Sequence, residues 1–234
     1  MDQVASGTGQ VSMDNTALVL AFALIAAPAY LALGAILGAD TLAAPVRVGL
    51  WVIAAIAVWL VGDVSADHAS TLSTLGLAMP TQHTVMAIGA GVLALLACGS
   101  LVALLQYSLG LPFGDRDGFN RIAVRSWPLR LLVVVTAAVV EEVLYRGVGI
   151  GFGSHVLGGA TMAAALSTLV FTAAHFRWSP AHLLQVFVAG SVLSGLYVVT
   201  GDLVACIAVH LIADLPILLV PLFMRPGSAS VPEA

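Results

Sequence analysis

An all-α, polytopic transmembrane helix bundle of about seven spans, with its polar core in the last four, is the fold class this sequence predicts. Three observations predict it. Of 234 residues, 60% are hydrophobic and only 9% are charged, where a soluble domain carries about 25% charged residues. The apolar residues gather into seven long runs of about 20 residues, the length that crosses a bilayer. The arginines outside those runs all fall on one side of the implied topology. So little charge cannot cover a soluble surface, and so much apolar residue excludes disorder. A β-barrel would show short alternating segments instead. With a net charge of −4 there is no basic patch for nucleic acid. The absence of lysine removes Schiff-base chemistry. Cys98 and Cys206 sit in apolar runs and read as small buried hydrophobes.

The elements follow in order. Residues 1–15 form a polar tail without a basic residue, so the first apolar run reads as a retained helix and not as a secretory signal. The expected spans are Thr16–Gly38, Ala44–Val64, Gln82–Leu109, Pro128–Val156, Ala160–Phe176, Pro180–Thr200 and Leu203–Phe223. Gly149, Gly151 and Gly153 predict a bend at the end of the fourth. Ala66–Thr81 reads as a loop with a turn, and 110–127 as an amphipathic connector on the membrane surface. Domains are thus a tail (1–15), three helices (16–109), a connector (110–127), a four-helix core (128–223) and a second tail (224–234). With seven spans, Arg47, Arg116, Arg121, Arg125, Arg130, Arg177 and Arg225 collect on one side and none on the other. This predicts an outer N-terminus and a cytoplasmic C-terminus.

Charged groups inside apolar spans need a reason, since an Asp or Arg at a span centre costs roughly 2.5–3.5 kcal/mol. Glu141, Glu142, Arg146, His175, His210 and Asp214 all lie in the last four spans. Glu142 and Arg146, four apart, predict an ion pair on one helix face. Glu141 points about 100° away and is the candidate general base, or else a stray acid beside a packing salt bridge. Phe171 and His175 share a face, so the ring can wall a site that the imidazole enters; a capping histidine is the alternative. His210 and Asp214, also four apart, can reach one water or metal ion, or form a hydrogen bond locking two helices. Gly158–Gly159 predicts a hairpin turn equidistant in sequence from Glu141 and His175, which brings the two level. Tyr145 donates to Glu141 or packs, and His182 reads as a surface group.

Glu141-Glu142…Arg146, Phe171…His175 and His210…Asp214, each on a separate span, resemble the signature of the CPBP family of intramembrane proteases, which includes the CAAX prenyl endopeptidases. The likeness covers about Pro128–Phe223, and Gly147 after the arginine fits it too. Leu75-Gly76-Leu77 is a weaker echo. The resemblance implies an intramembrane endopeptidase in a lipid bilayer, acting on a membrane-embedded or lipidated peptide. It implies that Glu141 and His175 activate water, that His210 and Asp214 bind the oxyanion or complete a metal site, and that Glu142, Arg146 and Phe171 support them. It leaves open two chemistries, a Zn2+ held among Glu141, His175, His210 and Asp214, and a metal-free glutamate mechanism. Asp214 departs from the Asn of the prenyl-processing branch. An ionised Asp cannot donate to an oxyanion, so it fits a metal ligand or an orienter of His210 better. Two other classes use the same residues. A proton- or metal-coupled transporter needs a polar path through both leaflets, and a catalytically silent scaffold would tolerate loss of Glu141. No serine has an evident base partner, which disfavours a serine mechanism.

Overall fold

The computed structural model describes residues 13–223 apart from 66–67 and 113; most of both expected tails lies outside them. Every regular element among the described residues is helical. In chain order these are α1 (Met13–Ile36), α2 (Ala44–Ser65), α3 (His68–Thr74), α4 (Gln82–Ser108), α5 (Arg116–Ala123) and α6 (Trp127–Thr136). A π-helical segment (Ala137–Phe152) continues α6 and runs into α7 (Gly153–Val156), followed by α8 (Ala160–Ala174), α9 (Pro180–Thr200) and α10 (Leu203–Phe223).

The boundaries follow local chemistry. Thr81 and Thr84 form a reciprocal cap at the start of α4. Ser179 caps α9, with Pro180 in its first turn, and Gly201 ends it in a left-handed conformation. Gly158 and Gly159, both at positive φ, make the hairpin turn expected before α8. Among the described residues, four helices are long and apolar enough to cross a membrane: Asn15–Ile36, Ala44–Ser65, Gln82–Ser108 and Pro180–Thr200. Of the other three expected spans, α10 keeps the full Leu203–Phe223 length. Trp127–Val156 carries Glu141, Glu142 and Arg146 in its centre. At 15 residues, α8 rises only about 22 Å, against about 30 Å of hydrocarbon.

The π segment is the axis of the bundle. It packs against α1, α2, α8, α9 and α10, and Glu142 through Ile150 are buried without interruption. Outer helices turn Leu18, Val52, Trp59, Leu93 and Leu104 outward, a surface suited to acyl chains. The glycines after Arg146 lie in and just after the π segment. They let neighbours approach: a methyl at Gly149 would meet Ser167 Oγ at 2.7 Å, and Ser167 Oγ donates to Tyr145 O.

The Ala66–Thr81 segment also departs from the expected loop. It forms α3 and then drives Leu75 into the core with no exposed surface. Gly76, at φ +74, accepts from Leu203 N at 3.0 Å, and a side chain there would strike the Gly201 carbonyl.

The connector forms α5, latched by one carboxylate. Asp115 Oδ1 accepts from Gly118 N at 2.7 Å and Oδ2 from Ser179 N at 2.8 Å. These two amide donors hold the Asp115 carboxyl below the usual carboxylate range. A depressed folded value stabilises the latch above about pH 4 and loses that contribution as pH falls through the folded value. Asp115→Ala is therefore expected to cost about 1 kcal/mol at neutral pH. Its difference from the parent, read by thermal unfolding, should shrink on acidification; a difference independent of pH would show that the charge is not what holds α5.

Candidate active site

The site starts from one carboxylate in the π segment. Glu142 is fully buried, and its Oε1 accepts two hydrogen bonds: from Arg146 NH1 at 2.9 Å and from His210 Nδ1 at 2.7 Å. Arg146, equally buried, donates a second time from NH2 to Gly190 O at 3.0 Å. Gly190 has to be a glycine for this, because a methyl there would sit 2.9 Å from Phe171 Cδ1. The guanidinium also lies over the Phe171 ring, 4.7 Å from its centroid. Thus Glu142 joins the π segment to α10, and Arg146 joins it to α8 and α9. The Glu142–Arg146 pair was legible from spacing; the His210 bond was not, because it spans 68 positions.

His175 closes α8. Its backbone leaves the helix, and its Nδ1 lies 2.8 Å from Phe171 O. A carbonyl only accepts, so Nδ1 carries the proton, and in the neutral ring Nε2 is the acceptor nitrogen. His175 is therefore a helix cap, the bland alternative, and it is half-buried.

His210 donates its Nδ1–H to Glu142, so its Nε2 is the nitrogen that faces Asp214, at 3.7 Å from Oδ2. That is too long for a hydrogen bond, so Nε2 has no hydrogen-bond partner among the described residues. Asp214 is within electrostatic range of Glu141, Glu142, His175 and His210, so the fold brings the three sequence elements into one place. Glu141 points away from Glu142 as expected. It is half-buried, and no hydrogen bond or ion pair of its carboxylate occurs among the described residues. Tyr145 does not donate to it but packs edge-on against Phe171, centroids 5.2 Å apart.

Among the described residues no three His, Cys, Asp or Glu side chains are grouped to hold a metal ion. Both histidines bond through Nδ1 to protein acceptors, which leaves each Nε2 open to a ligand. No step below passes through a metal.

Sequence reasoning missed an adjoining polar chain. Gln106 on α4, with no exposed surface, donates to Ala181 O at 2.7 Å and accepts from Gln185 Nε2 at 2.8 Å. Gln185 Oε1 lies 3.0 Å from His182 Nδ1. His182, expected at the surface, is half-buried beside Trp178 and Phe119. The signal was a lone amide inside each of two apolar spans, which lipid penalises as it does a charge.

Removing one partner of a buried charged pair costs about 3–5 kcal/mol. Arg146→Ala and Glu142→Ala are each expected to lower stability by that order in detergent unfolding. The double variant should cost clearly less than their sum; strict additivity would show that the pair is not coupled.

Comparison with known proteins agrees with this architecture. No curated protein and no solved structure matches the chain. Residues 123–216 match the family model described as type II CAAX prenyl endopeptidase Rce1-like, a stretch that holds all three motifs. It supports a hydrolase of the protease class and an integral membrane protein. From the end of the connector to the middle of α10, the chain is similar to the Rce1-like prenyl endopeptidase family, the likeness its helical motifs carry.

Proposed function

We propose that this protein is an intramembrane endopeptidase that hydrolyses a peptide bond of a membrane-associated, lipidated substrate, with Glu141 as general base. The observation that supports it best is the contrast between neighbouring carboxylates. Glu142 accepts from Arg146 and His210 on Oε1, with Oε2 enclosed and without a partner, whereas Glu141 stands half-buried and unbonded within electrostatic range of His210 and Asp214. An acid held by an ion pair beside one that is not is what separate supporting and reacting roles require.

In this mechanism a water lies between Glu141 and Nε2 of His175. Glu141 takes a proton from it as the oxygen attacks the peptide carbonyl. The carbonyl oxygen, becoming an oxyanion, is received by Nε2 of His210. The cationic ring, its charge balanced by Glu142 and Asp214, donates Nε2–H to it. Asp214 here orients and charges His210, a role open to an aspartate where direct donation is not. Collapse of the tetrahedral intermediate breaks the C–N bond, and the departing amine takes the proton from Glu141. The arginine-bearing end faces the cytoplasm in this reading, so water reaches the site near His182.

Glu141→Gln tests the base with little change in shape. It is expected to lower cleavage of a prenylated peptide at least about 100-fold while unfolding at the parent temperature. A variant that stays active would leave the transporter or scaffold readings. Metal analysis of the parent and of a His210→Ala/Asp214→Ala variant separates the two chemistries. The proposed mechanism expects little zinc in either and no loss on chelation. Roughly one zinc per chain, lost in the variant, would replace it with a metal-centred one.

A further inference from the structure

The short connector helix α5 is fastened differently at its two ends and is apolar on one face. After it, residues 124–126 are all that separate it from α6, and Arg125 in that link pairs with Asp40 at 2.9 Å. Before it, Asp115 bonds to Gly118 N and across to Ser179 N, and Ser179 Oγ donates to Gly114 O at 3.3 Å. Gly118 and Ile122, four apart and so on one side of the helix, are buried. Asn120, Arg121 and Val124 are exposed. A methyl on Gly118 would strike the Trp178 ring. Phe119 meets Trp178 and His182 edge-on, with centroids 5.7 and 5.5 Å apart.

These contacts fall on the elements that carry the site. Trp178 N donates to His175 O at 2.9 Å, so the turn beneath α5 begins at that histidine. α5 also packs against α10, the helix of His210 and Asp214. It therefore bridges two of the site's elements on the side where water enters in the proposed mechanism. The link after α5 is short and tied to the turn between α1 and α2, as a hinge requires. The end before it rests on one carboxylate and a few ring contacts. Gly114, at φ +72, gives that end a conformation glycine adopts without strain. Such a latch can release locally while the bundle stays folded.

We infer that α5 is a lid over the connector-side mouth of the site, hinged at residues 124–126, latched by Asp115 and the Phe119–Trp178–His182 rings, and opened to admit substrate. What passes beneath it rests on the endopeptidase reading; the opening itself does not.

The test places a thiol under the lid, Ile122→Cys in a Cys98→Ala background, and follows its reaction with a water-soluble maleimide in detergent micelles. A covered thiol reacts in proportion to the open fraction. It should react far more slowly than the exposed control Asn120→Cys. Asp115→Ala and Phe119→Ala should each speed it about 5-fold. Both should raise kcat/KM for a fluorogenic S-farnesylated peptide by a similar factor, through KM, with kcat unchanged. Should Ile122→Cys fail to fold, Ala123→Cys takes its place. Labelling as fast as the control, or unchanged by both variants, overturns the lid. Faster labelling without a gain in kcat/KM, or with a loss of kcat, also overturns it and makes α5 a brace for the His175 turn. A parent that cleaves no peptide defeats the proteolytic reading alone, and the labelling rates then decide the lid.

Discussion

The structure depends on how one buried carboxylate is shared. Glu142 Oε1 takes a hydrogen bond from its own helix and another from α10, and Arg146 passes the connection on to the α9 backbone and the Phe171 ring. A charge in this position cannot be left unpaired, because neither lipid nor apolar side chains solvate it. The network therefore fixes which helices surround the π segment and at what rotation. Gly190 and Phe171 are small and large because the guanidinium needs a carbonyl on one side and a ring on the other.

The π-helical form of the central segment belongs to the same constraint. Bonds from i to i+5 make a wider turn than the α-helix and recur at functional sites. Here the segment buries nine consecutive residues from Glu142 to Ile150, which one face of a helix cannot do; it must be enclosed on every side. The glycines on it admit α8 and the α3 turn at close range. The 15-residue α8 ends at His175, whose ring lies within electrostatic range of Asp214 on α10.

A second polar system lies towards the connector. Asp115 ties α5 to the turn before α9, and the aromatic contacts of Phe119, Trp178 and His182 continue from that tie to Gln185 and Gln106. Connector and site thus share the α8–α9 turn, so displacement of α5 would be felt at His175. Asp40, paired with Arg125, ties the turn between α1 and α2 to the connector.

What the sequence determined by itself was whatever local spacing and the cost of charge in lipid control. It specified an all-helical membrane bundle, most helix ends, the hairpin at Gly158–Gly159, the Glu142–Arg146 pair and the three elements bearing the site. These rest on neighbours three to five residues apart or on composition. Only the tertiary structure decided that His210 spends its Nδ1 on Glu142, that His175 is both cap and free acceptor, and that Arg47 is enclosed and not a loop cation. It also turned Ala66–Thr81 from a loop into a helix and a core plug, and made the central segment π-helical. Each is a contact between residues far apart in the chain, chosen by which groups must be satisfied once water is gone. Periodicity places a side chain on a face, but the partner across that face is set by packing.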